Sequence, residues 1–305
     1  MKIAAGIDFS PESEIAARQA VAVARHVGGE VVLVHVALAV ELPQMSADAE
    51  PWLRPSMDTL RARLSAAQEL DRVQLAELRE RLSGQGPLVS QVLAQGYPEE
   101  ALCSAADQLR ADLTIVGTHG RTGLGWFFLG SVAQHVVRSS RSDVIVARRE
   151  VAGAGGFRRI LVATDLSPAA DRALDRAVEL AASDAEIHVL HFYHLRAVGW
   201  SEGDYAFPAD VERGLARELE AAGEKLLEPR RRPGGPRLVF HLLHGSPIPG
   251  VVHWLERHDF DLAVLGSHGR RGFRRAVLGS VAEAVVRRSP CSVLVAHGEQ
   301  VTQTA

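Results

Sequence analysis

Two stretches of the chain carry the same small set of residues at the same spacing. Gly117-Thr118-His119-Gly120 is followed, after nine intervening residues, by Gly130-Ser131, and the pattern returns as Gly266, Gly269, Gly279 and Ser280. The pattern G-x-x-G-(nine)-G-S suits an anion, above all a phosphate. Glycine lets backbone N–H groups come close to a charged oxygen. A helix that opens at Ser131 or Ser280 aims its unpaired N–H groups and its positive dipole end at the same point. The serine hydroxyl is a further donor. Arg121 and Arg270 add charge, and His119 and His268 lie within reach of a phosphate. The plainer alternative is a pair of strand-to-helix turns, since short motifs recur by chance.

A second pair of residues stands apart from the glycines. Asp8 and Asp165 each end a short apolar run. A carboxylate there can accept hydrogen bonds from a ribose or from an adenine amino group, or it can cap a helix or brace a loop. Other phosphate signatures are missing: the sequence has no GxxxxGK[ST], and no GxGxxG follows the first apolar run. No carboxylate or second histidine stands at metal-ligand spacing from His119 or His268. His35 and His191 sit inside apolar runs and read as hydrogen-bonded core histidines. Trp126, Phe127 and Phe128 form an apolar loop cluster suited to packing on the sister segment or on a partner. The basic turn at 229–237, PRRRPGGPR, reads as a solvated loop.

The elements that must hold these residues alternate regularly. Strands are expected at 2–8, 30–38, 88–94, 112–116 and 143–147. Helices are expected from Ser10-Pro11 to Gly28-Gly29, over 57–83 with Leu60, Leu64, Ala67, Leu75, Leu78 and Leu82 on one stripe, over 98–110, and from Ser131. The second half repeats the order, with a helix at 169–182 and a strand at 186–192. Near-continuous Val/Ile/Leu strands alternating with helices predict a parallel sheet covered on both faces, where a ligand sits at the carboxyl ends of the strands.

The repeat is direct. Residues 112–147 and 261–296 match at 19 of 36 positions without a gap. The segment IAAGIDFSP at 3–11 is similar to ILVATDLSP at 160–168. Asp8 and Asp165 are 157 apart but Gly117 and Gly266 are 149 apart, so the second copy is eight residues shorter in its middle. The extra stretch is placed in 41–58, read as a loop. The domains are expected at 1–150 and 157–305, joined near 151–156, VAGAGG. Composition agrees with two soluble domains: 305 residues, 47% hydrophobic, net charge −3. That charge argues against nucleic acid, no apolar run has membrane-spanning length, and two cysteines, Cys103 and Cys291, cannot make a disulfide framework. A reducing, cytoplasmic setting is expected.

The strand-end aspartate, the HV or HF after strand two and the GSHGR-like segment running to GS together resemble the universal stress protein family in its tandem, ATP-binding form, over essentially the whole chain. The resemblance implies five-stranded parallel-sheet, three-layer α/β domains of the adenine nucleotide alpha hydrolase-like kind. It implies ATP, with Mg as a companion, across strands one and four. Asp8 would meet adenine or ribose, and Val36 would offer backbone to adenine. Gly117, Gly120, Gly130, Ser131 and Val132 would surround ribose and phosphates. The second-copy positions are Asp165, Phe192, Gly266, Gly269, Gly279, Ser280 and Val281. Copy two departs in having Phe192 for the valine and Arg270, Arg271, Arg274 and Arg275 around its loop. Pairing of the two copies through their last strands is implied, with a homodimer of tandem chains and a protein partner of unknown identity beyond it. The expected function is stress-response regulation by bound ATP with little or no turnover. A slow ATPase or nucleotidyl-transfer enzyme, and an interaction module with vestigial sites, remain alternatives.

Overall fold

The computed structural model describes residues 1–37, 54–84, 86–120, 129–151, 156–194, 209–267 and 278–297. The first copy runs β1 (Lys2–Ile7), α1 (Pro11–Val27), β2 (Glu30–Ala37), α2 (Arg54–Leu82), β3 (Val89–Gln95), α3 (Pro98–Leu109), β4 (Leu113–Gly117), α4 (Ser131–Ser139) and β5 (Asp143–Ala147). The second runs β6 (Phe157–Ala163), α5 (Pro168–Leu180), β7 (Ala181–Tyr193), α6 (Ala209–Leu227), β8 (Arg237–His244), α7 (Pro247–Arg257), β9 (Leu262–Gly266), α8 (Ser280–Arg288) and β10 (Ser292–Ala296).

Each copy is a parallel five-stranded sheet, and the two are joined edge to edge. The order across the whole sheet is β3-β2-β1-β4-β5-β10-β9-β6-β7-β8. All neighbours are parallel except β5 and β10, which pair antiparallel with Ile145 opposite Leu294. The inner strands are largely buried on both faces, as their Val/Ile/Leu runs require, whereas the edge strands β3 and β8 are mostly only partly buried. One apolar layer lies under α1, α2 and α5 and the other under α3, α4, α7 and α8. Both layers run through both copies.

The helix starts follow local chemistry. Ser10 caps α1 by accepting from the Ser13 N–H at 3.2 Å, and Pro11 is the first helical residue. Gly28, at φ +71°, ends α1 in the left-handed region. Copy two has no such glycine pair. There the helix stops at Leu180, and β7 begins at Ala181, five residues before the expected start, because Ala181, Ala182 and Ala185 are buried in extended chain. The expected loop at 41–58 lies outside the described residues up to 53, and from Arg54 the chain is already helix. The predicted α2 stripe holds only at its C-terminal end: Leu75, Leu78 and Leu82 are buried, whereas Leu60 is 39% exposed and Ala67 is exposed. The cause is length. At about 1.5 Å per residue a helix of 29 residues outruns the seven-residue strand beside it.

Among the described residues no helix is long and apolar enough to cross a membrane. Both cysteines are free, and burial pushes each thiol up to about 11, which suits packing rather than reactivity. Three of the four arginines of the basic turn are engaged within the fold. Arg230 binds Asp171 and Asp175, Arg231 binds Glu224 and Arg237 binds Glu186.

Candidate functional site

The chain leaves β1 for β2 and β3 on one side, then crosses back to β4 and β5 on the other. The carboxyl ends of β1 and β4 therefore diverge into a crevice, the place where open parallel sheets bind ligands. A cleft of about 230 Å³ lies there. It has two chemically different ends. Val34, Val36, Pro98 and Leu102 give an apolar end beside the first turn of α3. Asp8, the turn Gly117–Gly120, and Gly130, Ser131 and Val132 give a polar end.

The polar end is shaped by backbone. The Gly130 N–H donates to the Thr118 carbonyl at 2.8 Å, which clips the start of α4 to the glycine turn. Gly130 is the residue before α4 and has no side chain to cap the helix. The first-turn N–H groups of α4 thus open toward the cleft without intrahelical partners. A Cβ on Gly120 would stand 2.5 Å from Asp8 Oδ2, so the turn approaches the strand-end carboxylate as closely as glycine allows. His119 Nδ1 bonds Thr118 Oγ1 at 3.0 Å, and its buried Nε2 has no partner among the described residues.

Asp8 has the bracing role that was one of its two sequence readings, and its carboxylate also faces the cleft. Its Oδ1 accepts from the Ser10 N–H at 3.0 Å and from the Ser10 hydroxyl, bracing the residue that caps α1. The same carboxylate lines the cleft. Phe9 between them is held at φ +63°, and Leu166 repeats this at +62° beside Asp165, whose Oδ1 accepts from the Ser167 N–H at 3.0 Å. His35 is the satisfied core histidine expected of it: Nδ1 donates to the Ile7 carbonyl at 2.7 Å, and Nε2 is 3.4 Å from Asp71. His191 bonds the Thr164 carbonyl at 2.9 Å.

Of the copy-one candidates, Asp8, Val36, Gly117, His119, Gly120, Gly130, Ser131 and Val132 line this one cleft. Arg121 lies outside the described residues, as does the Trp126–Phe128 cluster. In copy two Asp165 follows β6, Phe192 lies in β7, Gly266 ends β9, and Gly279 precedes α8, which opens with Ser280 and Val281. The Gly279 N–H donates to the Ser267 carbonyl at 2.9 Å, repeating the copy-one clip. His268, Gly269, Arg270, Arg271, Arg274 and Arg275 lie outside the described residues. Sequence reasoning missed Thr118, Pro98 and Leu102. The last two were findable, because they open the helix that follows β3 at the same sheet edge. Among the described residues no group of three or more His, Cys, Asp or Glu is placed to hold a metal ion.

The sequence pattern of the Universal stress protein family matches twice, over residues 1–148 and 156–297. The chain belongs to the universal stress protein family. Single-copy relatives match about half of it. Universal stress protein A homolog 1 of Coxiella burnetii is 33% identical over 141 residues, 45% of this chain and 94% of the relative. Universal stress protein MJ0531 of Methanocaldococcus jannaschii is 29% identical over 142 residues, 46% of this chain and 81% of the relative. The tandem architecture has a full-length counterpart in a universal stress protein structure from Archaeoglobus fulgidus. It covers 97% of this chain and 98% of its own at a TM-score of 0.65 and 21% identity, a likeness of fold.

Proposed function

We propose that this universal stress protein is an ATP-binding regulatory protein of the stress response, holding the nucleotide in the copy-one cleft with little or no turnover. The observation that carries this is the two-ended cleft at the β1/β4 divergence. The apolar slot beside Val36 suits a base, with the Val36 backbone available to its edge. Asp8 sits where a ribose would pass. Gly117, Gly120, Gly130, Ser131 and Val132 suit the phosphates, with His119 Nε2 as a further donor. A regulatory rather than catalytic reading is supported by the lining. Asp8 is its one carboxylate among the described residues, and that carboxylate is already bonded to Ser10. A base and a separate metal-holding carboxylate would normally share phosphoryl-transfer work. Mg would then arrive on the nucleotide.

The test is calorimetric titration of nucleotide-stripped protein with Mg·ATP, ADP and AMP. Saturable binding of at least one of them, removed by Gly120→Val, is expected. Failure to bind any of the three would leave the fold intact and end the nucleotide reading.

A further inference from the structure

The two copies differ at the apolar end of the cleft. Sheet register aligns the copies residue by residue there. His35 pairs with Leu93 where His191 pairs with Leu242, and Val36 pairs with Ala94 where Phe192 pairs with Leu243. Phe192 therefore takes the place of Val36. In the helix that follows, Gly96, Pro98 and Ala101 correspond to Gly245, Pro247 and Gly250 at a constant offset of 149. So where copy one has a valine on the strand and an alanine in the helix turn, copy two has a phenylalanine and a glycine.

The coordinates place these two exchanges against each other. A Cβ on Gly250 would fall on Cε1 and Cζ of the Phe192 ring and 3.0 Å from its Cδ1. The ring thus rests on the bare backbone of the first turn of α7, a position that an alanine would deny it. It is partly buried and packs on the layer that contains Leu190 and Val251. In copy one the equivalent turn of α3 carries Pro98 and Leu102, which with Val36 form the apolar end of the cleft. Large-for-small on the strand is matched by small-for-large on the helix, which is how a core accepts added volume without strain.

We propose that Phe192 is an internal plug: its ring, seated on Gly250, fills the base subsite of copy two, so that the chain takes one adenine nucleotide, in copy one. This rests on the nucleotide reading of the copy-one cleft. Phe192 is then the residue that makes two copies with the same glycine spacing unequal. Its removal opens the second subsite.

The experiment counts sites. Full-length chain is titrated with Mg·ATP as parent, as Phe192→Val, and each again with Gly120→Val added. One site per chain is expected for the parent, two for Phe192→Val, none for Gly120→Val and one for Phe192→Val/Gly120→Val. A parent with two sites keeps the nucleotide reading and overturns the plug. A Phe192→Val variant that still binds one nucleotide while melting as a folded protein also overturns it. A parent that binds no nucleotide overturns the reading on which the plug depends. The packing is tested separately, without ligand. Gly250→Ala should lower the melting temperature of the parent but not that of Phe192→Val. Equal effects in both backgrounds would show that ring and glycine are not coupled, and would remove the plug.

Discussion

Gly117 and Gly120 stand in one four-residue turn and need glycine for different reasons. A Cβ on Gly117 would lie 2.8 Å from the Glu12 backbone carbon and 2.9 Å from its carbonyl oxygen, so α1 and β4 touch main chain to main chain. Backbone cannot step aside cheaply. Gly117→Ala should cost about 1–3 kcal/mol of stability, read from the denaturant midpoint. At Gly120 the nearest neighbour is the end of one side chain, Asp8 Oδ2. Gly120→Val should leave stability within about 1 kcal/mol of the parent. Its effect falls on the ligand: ATP binding should be lost, a drop of at least about a hundredfold, worth about 2.8 kcal/mol. If the effects were reversed, with Gly120→Val unfolding the chain and Gly117→Ala only weakening ATP, the division of labour in this turn would be wrong. The spacing of these glycines was legible in the sequence. The reason for Gly117 was not, because it depends on a helix more than a hundred residues upstream packing across the strand. The two uses of Asp8 were both weighed from sequence as alternatives. The structure has the bracing bonds, and the proposed ligand role draws on the same carboxylate.

At the scale of elements, internal repetition makes each copy a control for the other. Helix and strand order was readable in both because the inner strands carry apolar runs and α1, α5 and α7 open on Ser-Pro. The start of β7 and the overhang of α2 were not, because tertiary burial and helix length decided them. One layer differs sharply between copies. Under α7, His188 Nδ1 and His241 Nε2 are 2.9 Å apart, with Trp254, His258 and Phe260 packed around them. The sheet register puts Val32 and Val92 at the two histidine positions of copy one. Burial pushes both histidines below their ordinary value; His258 lowers both, Arg159 also lowers His188, and Glu186 opposes. A histidine lowered in the fold stays neutral there while the unfolded chain takes up a proton. Below about pH 6.5 the unfolded state therefore binds more protons, and stability falls as the pH falls. His188→Val/His241→Val, which borrows the copy-one residues, should flatten the decline of melting temperature between about pH 7.5 and 5.5. The comparison must be with the parent, because burial pushes Asp143 and Asp261 up and they titrate in the opposite sense. An unchanged slope would mean that the pair carries no proton linkage.

At the scale of the whole molecule, the decisive feature is the seam between β5 and β10. Every residue of both strands is buried, and they pair antiparallel from Val144 opposite Val295 to Val146 opposite Val293. Side chains from α1 and α5 clasp the seam in matched positions. Gln19 Nε2 donates to Ser292 Oγ at 3.0 Å, and Arg176 Nε donates to Asp143 Oδ2 at 2.6 Å. The Arg148 and His297 N–H groups complete the pairs, donating to Ser292 and Asp143. The Asp143 side chain is only 8% exposed, so Arg176→Ala leaves a buried carboxylate with fewer partners and should cost about 1–3 kcal/mol. Cutting the chain after residue 150 is a stronger perturbation. The first copy keeps all five of its strands and both its helical layers, but β5 becomes an edge of unpaired N–H and C=O groups flanked by valines and Ile145 that no longer have cover. Such an edge is a template for another strand. The partner most like β10 in direction, length and apolar character is a second β5, related by a twofold axis in the same antiparallel register. Residues 1–150 alone should therefore sediment as a dimer at micromolar concentration. Placing lysine at Ile145 of that fragment should dissolve the dimer or precipitate the fragment. A fragment that remains a soluble monomer would mean that the seam is held by the clasping helices of both copies rather than by the strands.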